Sequence, residues 1–76
     1  MTTTLEKAAD VIDYIAFIIN NFSEKYKLSM RQSFDYLYKY GGIRFLDDFY
    51  DVEHCENPRI TLDSLQHICQ KAGGNL

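Results

Sequence analysis

Apolar side chains at helical spacing fill the first third of the chain, and they are too many for one face of a helix. One stripe repeats every three or four residues between positions 5 and 22. Four more apolar side chains widen this stripe: Val11, Tyr14, Phe17 and Ile18. A surface helix has a narrower apolar arc, so we predict a first helix that is contacted on more than one side. It begins at residue 3 or 4, where Thr3 and Glu6 have the spacing of a capping box, and ends near residue 23 or 26.

The second helix has both a start signal and a stop signal. Ser29 and Gln32 form another capping-box pair, and Gly41 can adopt the left-handed conformation that ends helices. The side chains on its predicted inward face are Met30, Phe34, Leu37 and Tyr38. The linker before Ser29 is short, so we predict that the first two helices are antiparallel neighbours.

The third helix follows two glycines and is strongly acidic. We predict that it runs from Ile43 to Glu53. Its expected buried side chains are Ile43, Leu46, Phe49, Tyr50 and Val52. Its acidic side chains are expected to turn outward: Asp47, Asp48, Asp51 and Glu53. Between Ile43 and Glu56, five acids stand against Arg44 alone, which gives this segment a charge of −4.

The final helix follows a break at Asn57–Pro58, because the residue before a proline is pushed out of the helical region. Thr61 is its predicted N-cap, and Gly73–Gly74 ends it. Its expected buried stripe consists of Leu62, Leu65, Ile68, Cys69 and Ala72. The last two residues of the chain are expected to fray.

These segments predict an all-α fold, a compact bundle of four helices that forms one domain over residues 1–76. The chain has 76 residues, 46% of them apolar, and a second domain does not fit in that length. So small a domain has too little interior to cover a first helix that is apolar nearly all round, and exposed apolar patches mark interaction surfaces. We therefore predict a homodimer packed through the first helix, since closed twofold dimers are the commonest assembly.

Charge and apolar run length argue against several classes of partner. Eight basic and eleven acidic residues give a net charge of −3, which mildly repels nucleic acid and anionic lipid. The longest apolar run, Tyr14 to Ile19, is far too short to span a membrane. The N-terminus lacks the basic and apolar regions of a signal peptide, so the predicted location is the cytoplasm. In that reducing compartment Cys55 and Cys69 are expected to be free thiols.

The cysteines and histidines do not have the spacing of a metal site or of a catalytic pair. His54 lies beside Cys55, and His67 lies two residues before Cys69. Zinc sites space their ligands so that both side chains reach one ion, and neither pair does so. Cys55 and His54 as nucleophile and base fail for a related reason, because sequence neighbours rarely meet at attack geometry.

Asp47 and Asp51 share one face of the third helix, and His54 follows them, so a divalent-metal or acid–base site can be imagined there. Acid–base catalysis requires a sheltered pocket, which an exposed helical face does not provide. We therefore expect no catalytic residue, no metal, no cofactor and no enzymatic activity.

Protein contact is the function that the sequence favours. We predict that the acids of the third helix bind a basic protein partner, in an adaptor or antitoxin-like role: Asp47, Asp48, Asp51 and Glu53. The alternative is a small regulator that binds nucleic acid through the basic residues Lys25, Lys27, Arg31 and Lys39. The third helix does not support that alternative, because a recognition helix contacts phosphates with Lys and Arg, and this helix is acidic.

Three short motifs follow one another along the chain: Leu28-Ser29-Met30 at a helix start, Tyr40-Gly41, and Tyr50-Asp51-Val52-Glu53-His54. Together with the final helix ending in Cys-Gln-Lys-Ala-Gly-Gly, they resemble a family of short bacterial proteins known only as a domain of unknown function. The resemblance extends over nearly the whole chain. It implies a small cytoplasmic helical protein with no assigned activity, in some cases the partner of a neighbouring gene's product. The family brings no catalytic residues to this chain.

Overall fold

Helices account for every regular element in the part of the chain that the computed structural model describes, the backbone of residues 4–76 and the side chains of residues 8–76. They are α1 (Thr4–Tyr26), α2 (Met30–Lys39), α3 (Gly42–Asp48), α4 (Tyr50–Glu53) and α5 (Pro58–Lys71). The predicted all-α class is therefore confirmed. Four of these five helices have at least seven residues.

Helix α1 has the predicted length, and it packs against α2, α3 and α5, as its wide apolar stripe requires. Its C-terminal end is closed by a hydrogen bond of 3.0 Å from the Leu28 N–H to the Ser23 carbonyl. Lys27 stands between them with a φ of 56°, in the left-handed region that glycine usually occupies at this position. The predicted capping box between Thr3 and Glu6 lies outside the described residues.

Helix α2 begins with the predicted capping box. The Gln32 N–H donates to Ser29 Oγ at 3.0 Å, and the Ser29 N–H donates to Gln32 Oε1 at 2.9 Å. After Lys39 the helix ends, and Gly41 adopts a φ of 84°. The stop predicted at Gly41 is therefore confirmed.

The inward face predicted for α2 is largely wrong. Its side facing the interior is formed by Ser33 and Leu37, which are both fully buried. Met30, Phe34 and Tyr38 remain 46%, 42% and 70% exposed. The reason is a close contact between helices: Ser23 Oγ of α1 donates to Ser33 Oγ at 2.7 Å, which draws the small polar side of α2 toward α1.

The segment predicted as one helix from Ile43 to Glu53 is two helices. The chain turns at Phe49, whose φ of −112° and ψ of 22° end α3 and start α4. The turn brings the Tyr50 ring against Tyr14 of α1, with 5.5 Å between the ring centroids. It leaves Phe49 and Val52, both expected to be buried, 53% and 60% exposed.

Helix α5 begins four residues earlier than predicted. Asn57, not Thr61, is its N-cap: the Asn57 side chain accepts the Arg59 N–H at 2.9 Å, and Pro58 occupies the first helical position. The extended conformation that proline imposes on Asn57 is also the conformation of an N-cap, so the break and the helix start coincide. Thr61 lies inside the helix and is fully buried.

The helices share one apolar core. It is formed by buried residues from α1, α2, α3 and α5: Ile18, Ile19, Phe22, Leu37, Leu46, Leu62, Leu65 and Cys69. The chain end packs on this core and does not fray as expected, since the Leu76 N–H donates to the Tyr36 hydroxyl at 3.0 Å. Residues 8–17 of α1 are covered less completely, and Ile12 is 66% exposed.

Candidate protein-binding surfaces

Of the four acids predicted to form one docking face, three are exposed and one is not. Asp48 is exposed and pairs with Arg44 at 3.6 Å, and Asp51 is exposed on α4. Asp47 is exposed and lines a cavity between α1, α2 and α3. Glu53 does not turn outward: it is half-buried and accepts a hydrogen bond of 3.0 Å from Thr61 Oγ1. The predicted face therefore loses Glu53.

Glu53 belongs to a chain of hydrogen bonds that joins three helices. Because the Thr61 hydroxyl donates its proton to Glu53, its oxygen is free to accept the Tyr14 hydroxyl, which lies 3.4 Å away. Burial raises the pKa of Tyr14, the Thr61 hydrogen bond partly offsets this, and the Glu53 charge adds to it. This arrangement fixes α4 and α5 against α1 and leaves no group open to a ligand.

The remaining acids lie beside exposed apolar side chains on α3 and α4. Phe49 directly follows Asp48, and Val52 directly follows Asp51. We call the surface formed by Asp47, Asp48, Phe49, Asp51 and Val52 the acidic surface. Its carboxylates attract a basic partner, and Phe49 and Val52 offer apolar area to the same partner.

A second exposed surface lies between α1 and α2. Met30, Phe34 and Tyr38 follow each other at four-residue spacing, and the rings of Phe34 and Tyr38 stack with centroids 5.8 Å apart. Met30 Sδ lies 3.5 Å from Ser23 Oγ of α1. At the other end of α2, Tyr38 lines a cavity of about 550 Å³ together with Ile15 of α1. The two helices are thus antiparallel neighbours, as predicted, and the stripe runs beside α1.

We call this surface the α1–α2 groove: Ile15, Met30, Phe34, Tyr38 and Ile43. Ile43 of α3 lines its cavity with Ile15 and Tyr38, and Lys39 and Arg44 stand at the cavity rim. The sequence pattern of α2 gave the correct spacing for Met30, Phe34 and Tyr38, but it predicted that these three side chains lie in the core. The signal that places the stripe outside is Ser33, a small polar residue that pairs with Ser23 and turns α2 about its axis.

The basic residues of the nucleic-acid alternative are not gathered on one surface. Lys25 lies on the α5 side of α1 and pairs with Asp63 at 3.4 Å. Arg31 pairs with Asp35 at 3.6 Å on α2. Lys39 lies near the other end of α2, with its ammonium 5.3 Å from the Tyr40 ring centroid. A cavity of about 730 Å³ lies beside Lys25.

The expectation that His54 and Cys55 diverge is wrong. Cys55 Sγ lies 3.6 Å from His54 Nε2, and the His54 ring stacks on Tyr50 with centroids 4.4 Å apart. His54 Nδ1 donates to the Tyr50 carbonyl at 2.6 Å, which leaves Nε2 to face the sulfur. Both side chains are exposed.

The other candidate ligands are dispersed. Cys69 is a buried free thiol whose burial raises its pKa, and His67 is exposed. Among the side chains of residues 8–76, no three His, Cys, Asp or Glu residues are grouped as a metal site would require. Over the same residues, no helix combines the length and apolar character needed to cross a bilayer.

Comparison with known proteins identifies the family. The model of the family described as "Protein of unknown function (DUF3791)" matches residues 13–72, and the chain therefore belongs to that family. The match contains α2 to α5 entire and begins inside α1, at Asp13. A search of curated proteins and a search of solved structures found no match.

Proposed function

We propose that this member of the DUF3791 family is a protein-interaction module without catalytic activity, which positions or neutralises another protein as an adaptor or antitoxin does. The observation that carries the proposal is the amount of apolar side chain left in contact with solvent. Among the described residues, eight large hydrophobic side chains are at least 42% exposed in a chain of 76 residues. Apolar surface concentrated in this way marks contacts with other polypeptides.

Five of these eight side chains fall into two groups with different surroundings. Met30, Phe34 and Tyr38 belong to the α1–α2 groove, and Phe49 and Val52 belong to the acidic surface. Two such groups suit a module that associates with itself through one surface and binds a different protein through the other. We assign self-association to the groove, which includes α1, and the basic partner to the acidic surface. The cytoplasm remains the predicted location.

The acidic surface is tested by charge reversal at Asp48. This carboxylate is exposed, and its pair with Arg44 is a surface contact that contributes little to stability. The variant Asp48→Lys should fold normally and capture much less of the basic partner from a lysate of the native organism. The captured partner should also be released by moderate salt, since exposed charges are screened.

Asp10→Lys is the matched control, because it reverses an exposed acid on α1 away from the acidic surface. It should capture the same partner as the unmodified chain. Equal capture by the Asp48 variant and the control would contradict the acidic surface as the binding site. A chain that specifically captures no protein would contradict the proposed function itself.

A further inference from the structure

The two helices that border the α1–α2 groove carry opposite charges. Helix α1 has four acidic residues and two lysines, a charge of −2. Helix α2 has Arg31 and Lys39 against Asp35 alone, a charge of +1. The groove therefore has an acidic helix on one side and a basic helix on the other.

A surface of this kind is complementary to a second copy of itself. When a twofold axis runs along the groove, α1 of each protomer lies over α2 of its partner. Each acidic helix then faces a basic one, and this happens twice because the contact is isologous. A twofold axis across the groove would place α1 on α1, with a charge of −2 against −2. Charge complementarity thus selects the first arrangement.

We propose that the α1–α2 groove is covered by a second copy of this chain, with α1 of each protomer packed over α2 of its partner. This inference rests on the self-association proposed above and adds the arrangement of the two protomers. A stable interface buries about 800 Å² on each partner, which is about 15% of the 5294 Å² surface of this protomer. Tyr38, 70% exposed and central to the groove, is the residue type that most often anchors such contacts.

Asp13 and Lys39 report on this arrangement. Asp13 directly follows the exposed Ile12 on the outer edge of α1, and Lys39 lines the groove cavity with Tyr38. Neither side chain has an ion pair with another described residue. Ile15 of α1 lies beside Tyr38, so Asp13 lies near the level of the C-terminal end of α2. A twofold axis along the groove preserves this level. Asp13 therefore lies near the level of the C-terminal end of the partner's α2. Charges closer than about one Debye length interact even without a direct contact.

The experiment is a charge-reversal cycle followed by sedimentation equilibrium. Asp13→Lys places a lysine near the partner's Lys39, and Lys39→Glu places a glutamate near the partner's Asp13, so each single variant should raise the dimer Kd about tenfold. The double variant Asp13→Lys/Lys39→Glu restores opposite charges at these two positions and should restore dimerisation. Mixing the two single variants should likewise give a heterodimer that is tighter than either homodimer.

The control is Lys71→Glu in the last turn of α5, which reverses a comparable exposed charge on a helix outside the groove. It should leave the Kd unchanged. Restored dimerisation in the double variant cannot arise from a folding defect, and circular dichroism of each variant checks the fold directly. A dimer whose double variant stays as weak as the single variants overturns the arrangement. An unmodified chain that stays monomeric at about 100 µM overturns self-association. Binding of a basic partner at the acidic surface does not depend on this result, because the Asp48→Lys capture experiment tests it independently.

Discussion

Thr61 is the residue that the sequence pattern interpreted most wrongly, and its true position explains how the helices are locked together. Its side chain is fully buried and links Tyr14 of α1 to Glu53 of α4. A threonine that follows the sequence Asn-Pro-Arg-Ile resembles an N-cap by residue type alone. Sequence spacing could not show that two partners, 47 and 8 residues away, would meet its hydroxyl.

The replacement Thr61→Val tests this link. Valine has nearly the same shape, so the change removes the hydroxyl and leaves the partly buried Tyr14 and Glu53 oxygens without their partner. We expect the free energy of unfolding to fall by about 1–3 kcal/mol. Urea denaturation measures it. Thr61→Ser keeps the hydroxyl and should lose less; a valine variant as stable as the unmodified chain would show that the link contributes nothing.

At the scale of helices, local signals predicted the ends well where the chain itself supplies the capping groups. The Ser29 capping box and the glycine stops needed only near neighbours in sequence. The turn at Phe49 was missed because it is stabilised by a distant contact, the Tyr50 ring on Tyr14. The orientation of α2 was missed for the same reason, since it depends on the Ser23 to Ser33 hydrogen bond.

The end of α1 offers a prediction at this scale. Lys27 has a left-handed φ of 56°, while Gly73 has a φ of 107° just after α5. A residue with a Cβ is strained in the left-handed region, and glycine is not. We therefore expect Lys27→Gly to raise the free energy of unfolding by about 0.5–1 kcal/mol.

Thermal and urea unfolding measure this effect. Glu24→Gly, an exposed position within the same helix, serves as the matched control and should lower stability by about 1 kcal/mol, because glycine disfavours a helix interior. The account of this helix end fails if both glycine variants are destabilised alike.

For the whole molecule, the sequence predicted an all-α fold with a first helix that its own chain does not fully cover. The structure agrees at Ile12, which is 66% exposed, and adds the stripe of α2 beside it. The acidic candidate site was predicted in part: Asp47, Asp48 and Asp51 are exposed, whereas Glu53 is used inside the protomer. Which side chains remain for a partner depends on how the helices rotate against each other, and apolar spacing alone does not give that rotation.

The central claim is that the α1–α2 groove is a contact surface between polypeptides. Hydroxyl-radical footprinting of the purified chain tests it most directly, by comparing Tyr38 with Phe49 at about 1 µM and about 100 µM protein. Tyr38 is 70% and Phe49 53% exposed in the protomer, so both should be labelled in dilute solution. The account predicts that labelling of Tyr38 falls at the higher concentration while labelling of Phe49 does not change. Equal labelling of Tyr38 at both concentrations, in a chain that sediments as a monomer, would contradict it.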